Sequence, residues 1–131
     1  MKFLGLISII ILFHTSCETD HSYKRVLVNH SSHDLYIQYN NHYLGGDSSY
    51  FMSINDSMVL SEWWKLGAYQ FPDSCVIFDT DTIWVQANTS LPIVFIGDFR
   101  DESSWETTFV MDRSSKQVCA FVFEDDNFAV K

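Results

Sequence analysis

Helical periodicity is the first thing missing from this 131-residue sequence: no stretch sustains apolar residues at the three- and four-residue spacing of a packed helix. A helical bundle is therefore excluded. Basic side chains are also scarce, 8 Lys and Arg against 17 Asp and Glu for a formal charge of −9, which argues against binding nucleic acid or adsorbing electrostatically to anionic lipid. No apolar run reaches the roughly 20 residues needed to span a bilayer. There is no CxxC pair among the three cysteines, and no GxSxG, HExxH, phosphate-binding glycine loop or Rossmann fingerprint. The expectation is a protein without a catalytic set, cofactor or resident metal.

What is present begins at the amino terminus. Lys2 precedes an apolar run from Phe3 to Phe13 interrupted by Gly5 and Ser8, and His14-Thr15-Ser16 leads into Cys17. The run has the length of a signal-peptide core. His14 suits ordinary signal cleavage poorly, whereas a cysteine directly after the cut is what a lipoprotein peptidase requires. The thiol is acylated first and then becomes the new amino terminus. Residues 1–16 are thus expected to be a lipoprotein signal peptide, and residues 17–22 the lipidated Cys17 with a short tether. Residues 23–131 follow as one domain, which is all that a chain of this length predicts. Stable anchoring takes more than one acyl chain, and a triacylated Cys17 would stay on the membrane.

The domain reads as strands. Val26 and Val28 alternate with Arg25, Leu27 and Asn29, and Leu35, Ile37 and Tyr39 alternate with Tyr36 and Gln38. With His30 to Asp34 as a polar turn, the two runs look like a β-hairpin. One or two short strands are expected around Phe51, Ile54 and Met58 to Leu60, and further strands at Cys75–Phe78, Thr82–Val85 and Ile93–Ile96. The segment from Ser61 to Gly67, with Trp63 and Trp64, suits a helical turn and a strand equally well. Trp105–Met111 and Gln117–Phe123 close the chain as an antiparallel pair around a five-residue loop, Asp112 to Lys116. Seven or eight short strands at turn intervals of about ten residues predict an all-β, immunoglobulin-like antiparallel sandwich.

Two segments carry a resemblance. The run from Val26 to Ile37, a strand ending in Asn29-His30-Ser31 with a second strand following, and the run from Cys75 to Ile83 are similar to small uncharacterised lipoproteins of the Bacteroidota. The likeness spans most of the mature chain in strand and turn residues only. It implies a β-sandwich fold and an outer-membrane address, periplasmic or surface-exposed, and it carries no activity. The relaxed residue at position 14 fits the signals of that phylum, and Glu18 and Asp20 resemble its acidic surface-export tags.

With Cys17 committed to lipid, Cys75 and Cys119 remain in a compartment where disulfides persist. Both point inward by strand parity, which leaves either a bridge or two buried thiols. His30, His33, Asp34 and His42 carry zinc-ligand chemistry and Asp79, Asp81, Asp125 and Asp126 calcium-ligand chemistry, but their settings read as solvated turns and strand ends. Asp-Ser/Thr-apolar triplets mark Ser57 and Thr82 for O-glycosylation. Tyr43, Tyr50, Trp63, Trp64 and Trp105 could form a sugar-stacking platform or fill the core. The function expected is a non-catalytic binding or interaction lipoprotein, held to the membrane through Cys17 and facing a protein or glycan partner. A carbohydrate-binding accessory lipoprotein and an envelope inhibitor or immunity lipoprotein are the alternatives.

Overall fold

The computed structural model describes residues 20–41, 46–67, 74–76, 81–111 and 114–131. They form an all-β sandwich whose nine strands are β1 (Asp20–Asn29), β2 (Leu35–Asn41), β3 (Gly46–Met52), β4 (Ser57–Leu66), β5 (Asp81–Ala87), β6 (Ile93–Phe95), β7 (Trp105–Met111), β8 (Ser115–Phe123) and β9 (Phe128–Val130). Sheet A has the order β4-β1-β8-β7, sheet B the order β3-β2-β5, and β6 pairs with β9 in a small third sheet. Every pairing is antiparallel except that of the two central strands of sheet A, β1 and β8, which run parallel.

Alternation explains the sheets. Along β8, Ser115, Gln117, Cys119, Phe121 and Phe123 are buried while the residues between them are half-buried or exposed, the period of two that a sheet with one covered face requires. On β1 the better-buried face is that of Tyr23, Leu27 and Asn29, with Val26 and Val28 half-buried on the other side. These faces meet Leu35, Ile37 and Tyr39 of β2, Met52 of β3 and Ala87 of β5 in one core. Phe99 and Phe121 approach to 4.4 Å between ring centres, with Phe95, Trp105, Phe123 and Phe128 around them. Gly97 lets the chain pass this aromatic cluster, since a Cβ there would lie 2.5 Å from the Phe95 ring.

Several elements differ from expectation. The first two strands are not a hairpin, because β1 belongs to sheet A and β2 to sheet B. The reason is Asn29, whose buried amide turns the chain between sheets. Its Nδ2 donates to His33 O at 2.8 Å and Ser53 O at 3.1 Å, and its Oδ1 accepts from the backbone and hydroxyl of Ser31. Ile54 lies in a turn rather than a strand, and Asn55 there adopts φ 63°, a left-handed conformation that asparagine tolerates. The segment from Ser61 to Leu66 is strand, an extension of β4 held by pairing with β1 and ended by Gly67 at φ 118°. The β7–β8 connection is three residues, not five, because Ser115 and Lys116 already pair with Met111 and Val110. Positions 74–76 hold no strand; positions 77–80 lie outside the described residues.

Candidate functional site

Parity on sheet B sends Leu35, Ile37 and Tyr39 into the core and leaves Tyr36, Gln38 and Asn40 exposed on the outer face. Register then assembles cross-strand rows on that face: Phe51, Tyr36 and Gln86; Ser49, Gln38 and Trp84; Asp47 and Asn40. Trp84 is 68% exposed although it sits mid-strand. Around it an open cleft of about 520 Å³ is lined by Gln38, Asn40, Asp47, Ser49 and Trp84 together with Tyr39 and Ser48, a volume within the ordinary range of small-ligand sites. Tyr36 and Phe51, with ring centres 5.1 Å apart, form a second exposed aromatic pair on the same sheet.

The chemistry of this lining is specific. Two amides and three hydroxyls supply both donors and acceptors, and one indole supplies a flat apolar plate. Asp47 is the single acid among the lining residues, so the lining holds no carboxylate pair of the kind glycoside hydrolysis uses.

The aromatics expected to form a platform are not together. Tyr50 is on β3 of sheet B, whereas Trp63 and Trp64 are on β4 of sheet A. Trp63 stacks on Tyr23 with ring centres 5.5 Å apart, and the Arg25 guanidinium sits 4.9 Å from its centroid. Trp64 is exposed, and Trp105 is buried with its Nε1 donating to Phe99 O at 3.0 Å. Tyr43 and Cys17 lie outside the described residues. Ser57 is exposed at the start of β4, and Thr82 pairs with Asn40 beside the cleft. Trp84 was the residue missed. The signal for it was the pairing of its parity with that of Gln38 and Asn40, which needs the strand partners to be known.

Cys75 and Cys119 form a disulfide, with Cα atoms 5.5 Å apart. The segment carrying Cys75 is fixed from two further sides. Arg25 donates from Nε to Cys75 O at 2.9 Å and from Nη2 to Ser74 O and Val76 O at 3.2 and 3.1 Å. Glu102 accepts from Cys75 N at 3.0 Å and Ser74 Oγ at 2.7 Å. The backbone bond from Cys75 and then the Ser74 hydroxyl hold the Glu102 carboxyl below the ordinary glutamate range. The Asp125 carboxyl is lowered likewise, first by the backbone N–H of Ser32, which donates to it at 2.7 Å and ties it to the turn after β1.

Two histidines, His33 and His21, have structural partners; His30 is exposed after β1, and His42 lies outside the described residues. His33 meets the edge of the Phe128 ring, and Asp34 accepts from Ile54 N at 3.1 Å. No group of three His, Cys, Asp or Glu side chains among the described residues converges as metal ligands would. His21 donates from Nε2 to Gly67 O at 2.7 Å, leaving Nδ1 to accept from Ser115 Oγ. Both side chains are buried, so this serine–histidine pair is a strut that holds the end of β4 against β8. Compared with protein-family models, curated proteins and solved structures, the chain matches none.

Proposed function

We propose that this chain is a non-catalytic binding module, exported and held to the membrane by lipid on Cys17, that captures a neutral polyhydroxylated ligand such as a glycan on the outer face of sheet B. The observation that carries the reading is Trp84, an indole 68% exposed in mid-strand and flanked by amide and hydroxyl groups. Burying a large apolar ring stabilises a fold, so an indole left in water among polar groups points to a ligand that covers it. A pyranose ring fits such a plate, because its C–H face stacks on the indole while its hydroxyls reach Gln38, Asn40 and Ser49. A rigid strand scaffold also binds without a costly rearrangement.

The sequence before β1 supports the address. An apolar run too short to span a bilayer, Phe3 to Phe13, lies just before Cys17, and the acidic mature chain has little attraction for anionic lipid without an anchor. An outer-membrane position, facing either the periplasm or the outside, follows from the resemblance to Bacteroidota lipoproteins.

Two measurements test this. A panel of immobilised polysaccharides should retain the wild-type protein, with Trp84→Ala losing at least about tenfold in affinity, roughly 1.4 kcal/mol. Retention of both proteins alike, or of neither, contradicts the glycan reading. Mass spectrometry of membrane-extracted protein should find acyl groups on Cys17, and Cys17→Ala should be released from the membrane. An unmodified Cys17 contradicts the anchor.

A further inference from the structure

The end of sheet A at which β1 begins is apolar on the outside. Leu66 pairs with Asp20, and the next outward row across the four strands reads Val110, Lys116, Ser22 and Trp64. Met111, opposite Ser115, belongs by parity to the inner face but is exposed at the same rim where β7 ends. Trp64, Leu66, Val110 and Met111 are 62%, 70%, 53% and 65% exposed. They are not a frayed piece of core, because the buried side of the same end is closed by the His21, Ser115 and Gly67 hydrogen bonds.

Asp20 follows Cys17 by three residues, and three residues of extended chain reach at most about 11 Å. We infer that this rim is the surface on which the domain rests against the lipid bilayer. The inference rests on the lipid-anchor reading. An acyl-modified Cys17 would hold the start of β1, and with it this end of sheet A, within about 11 Å of the headgroups. The side chains there suit that boundary. An indole prefers the interface between headgroups and acyl chains, Leu66, Val110 and Met111 gain from leaving water, and Lys116 can extend its amine to the phosphates. Of the residues in these two rows, Lys116 is attractive for anionic lipid and Asp20 repulsive. Because Trp64 and Val110 lie on the outer face of sheet A, resting on them turns the outer face of sheet B, with its cleft, toward the solution.

The test uses the full-length protein extracted with its acyl chains and reconstituted into phosphatidylethanolamine–phosphatidylglycerol vesicles whose lipid tails are brominated near the headgroup. Bromine quenches indole fluorescence at contact. Wild-type protein should be quenched, Trp64→Phe should lose most of that quenching, and Trp84→Phe should keep it. Acylation of Cys17 is read by mass spectrometry on the same sample. Equal quenching of wild type and Trp64→Phe, with Cys17 acylated, overturns the rim while leaving the anchor intact. A Cys17 found unmodified overturns the anchor reading, and the rim with it. A concentration-dependent dimer in detergent that Trp64→Phe abolishes assigns the surface to a second copy of the chain and also overturns the proposal.

Discussion

Replacing both bridged cysteines, Cys75→Ala with Cys119→Ala, removes a link that spans 44 positions. For a loop of that length the chain-entropy relation gives about 13 cal/mol/K, which at room temperature is about 4 kcal/mol of stabilisation lost. Against a typical domain stability of about 5–15 kcal/mol that loss is large enough to leave some molecules unfolded under mild conditions. The bridge acts mainly on the unfolded chain, so its removal should also expand that state and raise the denaturant slope. Urea unfolding followed by tryptophan fluorescence measures both quantities at once. Arg25→Ala is the matched control, because it frees the same segment in the folded state by deleting the bonds to Ser74, Cys75 and Val76 while leaving the bridge. It should lower the midpoint with the slope unchanged. A double-cysteine variant that loses less than about 1 kcal/mol with an unchanged slope would refute the argument that this link restrains the unfolded chain.

Three further outcomes follow from single side chains. Asn29→Ala should cost about 2–4 kcal/mol in chemical denaturation, since it deletes a buried amide that donates to the carbonyls of His33, Met52 and Ser53 and accepts from the buried Ser31. Ser61→Ala should be neutral or stabilising by up to about 1 kcal/mol, because Ser61 Oγ is buried with no hydrogen-bond partner among the described residues. Glu102 has a folded-state pKa below its unfolded value, so its contribution is complete above the ordinary glutamate range and disappears as pH falls through the lowered value. The acid side of the stability profile should therefore be shallower in Glu102→Gln than in wild type.

Strand existence was legible wherever one face is covered, as in the alternation of Leu35, Ile37 and Tyr39 or of Cys119, Phe121 and Phe123. Partnership was not. A turn such as His30 to Asp34 joins a hairpin and a sheet crossing with the same residues, and the difference lies in hydrogen bonds from Asn29 to Ser53 that no local pattern announces. The adjacent Trp63 and Trp64 illustrate the same limit, since their opposite faces became readable only through the pairing of Ser22 and Tyr23 with β4. β9 escaped because three residues are too few to show a period. The cleft escaped for a related reason: its lining comes from three strands, and each contributes residues that alone read as ordinary solvent-facing positions.

The most direct measurement is amide chemical-shift mapping by NMR of residues 20–131, titrated with the polysaccharide that the panel retains best. Shifts concentrated at Gln38, Asn40, Ser49 and the Trp84 indole are expected, with β1 and β4 of sheet A unchanged. Shifts that gather on sheet A, or that leave the outer face of sheet B untouched at saturation, would contradict the assignment of the binding surface.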